Sequence, residues 1–146
     1  MHSRTALWIL WAACLLALVG IGVASQRVPL PGRAWVQAET AVAGFVASLM
    51  ALCAGVGSFA VRETYLSRHI RSGALDLDSP AGFTRARAIL FLLWLLCLAV
   101  GALGGVLAWR AASPGPAWPY MLAAAVLLLI HAPRRALLDA GALAHD

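Results

Sequence analysis

Three thiols are the most reactive groups in the apolar part of this chain. Cys14, Cys53 and Cys97 fall one in each of three uncharged stretches, with no CxxC pair among them. A thiol in such surroundings is an inert packing group unless a cation or a metal draws off its proton. A three-thiolate metal site would require the three depths to coincide between helices, and no metal site is expected. Of the histidines, His2, His69, His131 and His145, only His131 lies beside an apolar stretch, next to Pro133 and Arg134. There it reads as an interfacial residue and not as a proton relay. The sequence contains no nucleophile-base constellation and no phosphate loop, so no catalytic or cofactor-binding residue and no cofactor is expected. His69, Glu63 and Asp76 leave lipid-headgroup chemistry as a distant third class of function.

No Asp, Glu, Lys or Arg lies within any of the long apolar stretches. Ion-coupled carriers and proton channels keep an ionisable group at membrane depth to hold the charge they move, so this absence argues against them. What the stretches do contain is small residues at helical spacing. Gly44, Ser48, Ala51, Gly55 and Ser58 recur at intervals of 4, 3, 4 and 3, which places them on one face of a helix. Cys97, Gly101 and Gly105 repeat every fourth residue in the next stretch. In lipid there is no hydrophobic drive between helices, and close backbone approach over such faces is what holds them together. The faces serve either the packing of one chain's own bundle or the association of copies.

The elements that carry these residues follow from composition. Of 146 residues 62% are hydrophobic and 12% charged, about half the charge of a water-soluble domain. The mean hydropathy of +0.85 agrees. Charges delimit runs at 5–26, 40–61 and 88–109, each 22 residues, against the roughly 20 that an apolar helix needs to cross a bilayer. A fourth run follows the turn-forming Ser113-Pro114-Gly115-Pro116. The predicted spans are 5–25, 40–61, 88–109 and 117–132 in one integral membrane domain, an all-α four-helix transmembrane bundle. Trp8, Trp35, Trp109, Trp118 and Tyr120 sit near the ends of runs as interface anchors, whereas Trp11 and Trp94 lie deeper and read as packing residues.

All eleven basic residues are Arg and they flank the runs, which fits membrane-bordering charge and not nucleic-acid binding. Eight fall on the side of the two termini and the 62–87 loop, against three on the other. The positive-inside rule then puts both termini and the loop in the cytoplasm of a bacterium, with the lipid bilayer as the first partner. Arg62, Arg68, Arg71, Arg85 and Arg87 form the basic set of that loop and read as headgroup contacts or as a docking site. Arg4 with the following apolar run and Gly22-Val23-Ala24 also resembles a secretory signal, although the run exceeds the usual length of about 7 to 15 residues.

Within the loop, Arg62 to Arg71 is expected to continue the second helix and to stop near Ser72-Gly73. Ser79 followed by Pro80 predicts an N-cap and a first helical residue, so the third helix should project beyond the bilayer. Laid on Leu90 to Leu107, the segment Leu7 to Ala24 matches at seven of eighteen positions, including Trp11 with Trp94 and Cys14 with Cys97. In segments so rich in Leu, Ala and Gly, chance similarity accounts for that match.

The second and third spans together resemble the c-type proteolipid subunit of rotary ATPases. Ala54-Gly55-Val56-Gly57-Ser58 is similar to that family's glycine-rich helix, and Arg85-Ala86-Arg87 with the run to Gly104-Gly105-Val106-Leu107-Ala108 is similar to its second helix. The resemblance implies a close-packed hairpin with a cytoplasmic loop. Leu98 stands where the family carries its ion-binding carboxylate.

The reading that results is a small, non-enzymatic, multi-pass inner-membrane protein, a homo-oligomer or a structural subunit of a membrane complex, with the second and third spans as its central hairpin. Its competitor is an ion-conducting, proteolipid-like transport protein that would use backbone carbonyls and the Ser48 or Ser58 hydroxyls.

Overall fold

The computed structural model describes residues 2–27, 37–76, 79–111 and 113–133, and these are mainly helical with no strand among them. Helix α1 is His2–Arg27 and α2 is Gln37–Val61. Helix α2 runs on without a break through a π-helical segment, Arg62–Ser67, into a single turn, α3, Arg68–Arg71. Helix α4 is Pro80–Ala111 and α5 is Ala117–Ile130. Three stretches, Thr5–Gln26, Ala41–Ile70 and Pro80–Ala111, are long and apolar enough to cross a membrane, and α5 is a shorter apolar helix. The expected four-helix all-α bundle is therefore present. Arg33 and Trp35, like Arg134, Arg135 and the rest of the C-terminal tail, lie outside the described residues.

Helix α4 is the hub. Its buried residues Leu90, Trp94, Cys97, Gly101, Gly104 and Ala108 recur at intervals of 4, 3, 4, 3 and 4. Ala117, Met121, Ala124 and Leu128 do the same on α5, and Leu7, Cys14 and Leu18 follow that rhythm on α1. Alternating steps of 4 and 3 keep one seam facing a neighbour, as in knobs-into-holes bundles. Leu18 opposes Gly101 and Ile21 opposes Gly105, so α1 runs parallel to α4, whereas Tyr120 opposes Gly104 and Ala124 opposes Gly101, so α5 runs antiparallel to it. Helix α2 runs alongside α5 in the same sense, as the pairings of Ser48 with Tyr120 and Arg62 with Ile130 show. The second and third spans do pack together, but as one seam of three around α4 and not as a separate central hairpin.

The loop behaves as its residues dictate. Gly73 takes φ +70°, the left-handed turn that closes a helix, and its N–H reaches Ile70 O at 3.1 Å. Buried Leu75 folds back, donating to His69 O at 3.0 Å. Helix α4 starts on Ser79, whose Oγ accepts the Gly82 N–H at 3.1 Å and donates to Asp76 O at 2.9 Å. Gly82 is required there, since a Cβ would strike the Asp76 carbonyl. Ser79→Ala should lower stability by about 1 kcal/mol and speed hydrogen exchange at the Gly82 amide, with Ser79→Thr restoring both. Unchanged exchange in Ser79→Ala would show that the cap is idle.

Helix α5 ends at Ile130, two residues before the expected 132. Pro133 disfavours helical backbone at Ala132, and the chain tightens there with Ala132 N–H donating to Leu129 O at 3.3 Å.

Candidate functional site

The most polar region inside the bundle is the C-terminal end of α5. At 14 residues and 1.5 Å per residue this helix is about 21 Å long, short of the roughly 30 Å hydrocarbon layer. A helix end leaves its last carbonyls without intrahelical donors, and in lipid each such group is costly. Depth can be gauged on α4, where Trp94 lies seven residues past Arg87, the last charge before the apolar run. That spacing is about 10 Å along the axis.

Side chains from three other segments meet these carbonyls. Trp11 Nε1 on α1 donates to Leu128 O at 3.0 Å, and Trp94 Nε1 on α4 donates to His131 O at 2.9 Å. Arg62, the first residue of the π-helical segment, donates through Nη1 to Ile130 O at 3.2 Å. Leu129 O takes the Ala132 N–H, and Leu127 O takes both the backbone N–H of His131 at 3.0 Å and its Nδ1 at 2.8 Å. Every carbonyl from Leu127 to His131 thus has a donor. Trp11 and Trp94 are equivalent positions of the weak internal match, and here they do the same work. The two parallel helices flank one end of α5, and each sends an indole N–H to it.

His131 corrects the expectation of an interfacial residue. It is 1% exposed, sealed beneath Phe59, whose ring centroid is 5.2 Å away. A carbonyl only accepts, so Nδ1 carries the ring proton of the neutral form, and Nε2 is a bare acceptor. It is the one buried side-chain polar atom among the described residues without a partner. Proline follows at Pro133, and the turn that ends α5 carries the ring inward with the chain.

The π-helical segment begins at Arg62 and closes with Arg68 N–H on Glu63 O, a bond five residues back. The wider turn rotates the chain that follows, so Leu66 and Ile70 are buried while Tyr65 stacks on His69 with centroids 6.4 Å apart.

Several residues of the predicted small-residue faces make contacts within the chain. Tyr120 Oη donates to Gly44 O at 3.1 Å, so the Ser48 hydroxyl, 2.9 Å away, donates to Tyr120. Gly55 faces Leu127, Ala51 packs at the edge of the core, and fully buried Ser58 donates to Gly55 O at 2.7 Å. On α4, Gly101 meets Leu18 and Ala124, and Gly105 meets Ile21. Gly104, which falls outside the four-residue repeat of Cys97, Gly101 and Gly105, makes the tightest approach to backbone on this helix's α5 side, with Ala117 O and Tyr120 Cβ against it.

The basic set disperses. Arg62 is half-buried, Arg68, Arg85 and Arg87 are exposed, and the side chain of Arg71 lies outside the described residues. Cys14 and Cys97 are buried close to each other where α1 packs on α4, and Cys53 faces outward on α2, so the three thiols do not gather. The cluster at the end of α5 can therefore hold a helix terminus at depth and offer one hydrogen-bond acceptor. Comparison of the chain with family models, with curated proteins and with solved structures returned no match.

Proposed function

We propose that the chain is a small, non-enzymatic, multi-pass protein of the bacterial inner membrane, with both termini cytoplasmic, that works as a self-associating structural subunit of a membrane complex. The observation that carries this reading is the two-sided character of α2. Ala47 and Ser58 are buried in the bundle, and its outer face presents Phe45, Leu49, Met50, Leu52 and Val56. Of the three long helices it is the least buried within the chain. Without a hydrophobic drive in lipid, such a face associates through van der Waals packing against a matching surface, and a second copy supplies one by symmetry. The count of Arg on the two sides supports the orientation.

Cys53 provides a native reporter, because it is the exposed cysteine on α2 while Cys14 and Cys97 are enclosed. Oxidative cross-linking in isolated membranes is expected to give a disulfide dimer that Cys53→Ser abolishes and Cys97→Ser preserves. A chain that stays uncross-linked and also has the mass of one protomer in mild detergent would refute self-association.

A further inference from the structure

Helices α1 and α4 meet at Leu18 on Gly101 and Ile21 on Gly105, and a groove opens between them toward each end. The groove near Ser113 measures about 400 Å³, and its polar lining consists of neutral groups such as Ser25, Gln26 and Ser113. The groove at the Arg-rich end measures about 470 Å³ and is lined by Ala6, Leu10, Thr84, Arg87, Ala88 and Phe91. Four of these six are apolar, and Arg87 is the cation among the described residues that line it.

We propose that the groove at the Arg-rich end is a binding site for one anionic phospholipid, an acyl chain lying along Leu10 and Phe91 and the phosphate resting on Arg87. Three features support this occupant. Arg87 is the last charge before the uncharged run of α4, so it marks headgroup level. Phe91 is one turn deeper, about 6 Å along the axis, where the hydrocarbon begins. The Thr84 hydroxyl proton is committed to Pro80 O at 2.8 Å, so the anion falls to the guanidinium, whose forked donors match a phosphate. The guanidinium of Arg87 at the groove favours a headgroup with net negative charge over a zwitterion, whose ammonium it would repel. The small side chains of Ala6 and Ala88 leave the space between the helices that the chain would occupy. The inference rests on the placement of the protein in a membrane and not on its self-association.

The test is native mass spectrometry of the full chain released from nanodiscs of phosphatidylcholine mixed with phosphatidylglycerol. One phosphatidylglycerol retained per protomer is expected, in excess over phosphatidylcholine. Arg87→Gln should reduce that retention about fivefold, the equivalent of the roughly 1 kcal/mol that one Arg contributes near a lipid surface. Arg87→Lys should keep most of it. Ala88→Phe, which fills the groove and leaves the charge in place, should abolish it, and Arg85→Gln should leave it intact. Equal retention of the two lipids, or equal losses in Arg85→Gln and Arg87→Gln, would reveal diffuse surface attraction and overturn the site. Self-association fails or stands separately, in the Cys53 cross-link.

Discussion

Gly104→Ala is expected to destabilise the bundle by about 1–3 kcal/mol, although alanine is the better helix former by about 1 kcal/mol. The added methyl would stand 2.7 Å from Tyr120 Cβ and 2.9 Å from Ala117 O. Both are backbone or fixed directly to it, so relief requires α4 and α5 to part. Parting also pulls the Tyr120 hydroxyl from Gly44 O and from Ser48, and with it the link to α2. Gly101→Ala is the informative comparison. Its methyl would overlap Leu18 Cδ1, yet that atom ends a flexible side chain and can swing aside, and the next neighbour, Ala124 Cβ, is at 3.4 Å. Gly104→Ala should therefore be the more damaging of the two, despite the closer approach at Gly101. Gly57, where an added methyl meets nothing within 4 Å, should accept alanine with unchanged or slightly raised stability. Unfolding in mixed micelles, followed by circular dichroism, ranks the three. A Gly104→Ala protein as stable as the parent would mean that the α4–α5 seam is looser than described.

Trp94→Ala should cost about 3–5 kcal/mol, since Trp94 is 0% exposed and lies where α1, α4 and α5 meet. Trp94→Phe separates packing from hydrogen bonding. It keeps most of the ring and leaves His131 O without a donor, an omission worth about 1–3 kcal/mol in a buried site. Trp11→Phe removes the bond to Leu128 O, but Trp11 is only half-buried, so less packing is disturbed and its loss should be smaller. Arg62→Gln belongs to the same series, because its Nη1 holds Ile130 O from the loop side. If the three donors act on one helix end, Trp94→Phe and Arg62→Gln together should depart from the sum of their separate effects. Strict additivity in micelle unfolding would show that the carbonyls are satisfied independently.

Much of the architecture is legible because charge and turn residues punctuate the chain. Pro80 after Ser79, the stop at Ser72-Gly73 and the turn at Ser113-Pro114-Gly115-Pro116 each mark a boundary that the helices respect. Of the stripe from Gly44 to Ser58, Ser58 is buried and Gly55 meets Leu127, whereas Ser48 is exposed and an added methyl at Gly44 would meet nothing within 4 Å. Which neighbour each face meets is not legible. In water, polar residues mark the outer face of a helix, whereas in lipid both faces are apolar and only small side chains betray the seam. The hub role of α4 and the burial of His131 are hidden for that reason. The π-helical segment leaves no signal either, since Arg62 to Ser67 reads like any helical continuation.

The capped end of α5 is foreseeable in part. Trp11 and Trp94 each carry an N–H, and a donor placed away from the interface must find an acceptor. A fourth helix shorter than the hydrocarbon layer is thick ends at depth and supplies the acceptors. The weak match between the first and third spans, for which shared composition is reason enough, coincides with the one place where two parallel helices meet the same partner.

The short reach of α5 also bears on the lipid around it. Its outward residues Trp118, Leu122, Val126 and Leu129 are all more than half exposed, so acyl tails on that flank border a wall lower than the other helices present. Tails must tilt or compress to match it, at a modest cost for each ångström of difference in thickness. Bilayers with shorter chains relieve that strain, and in a membrane of uneven thickness the protein gathers in the thinner patches.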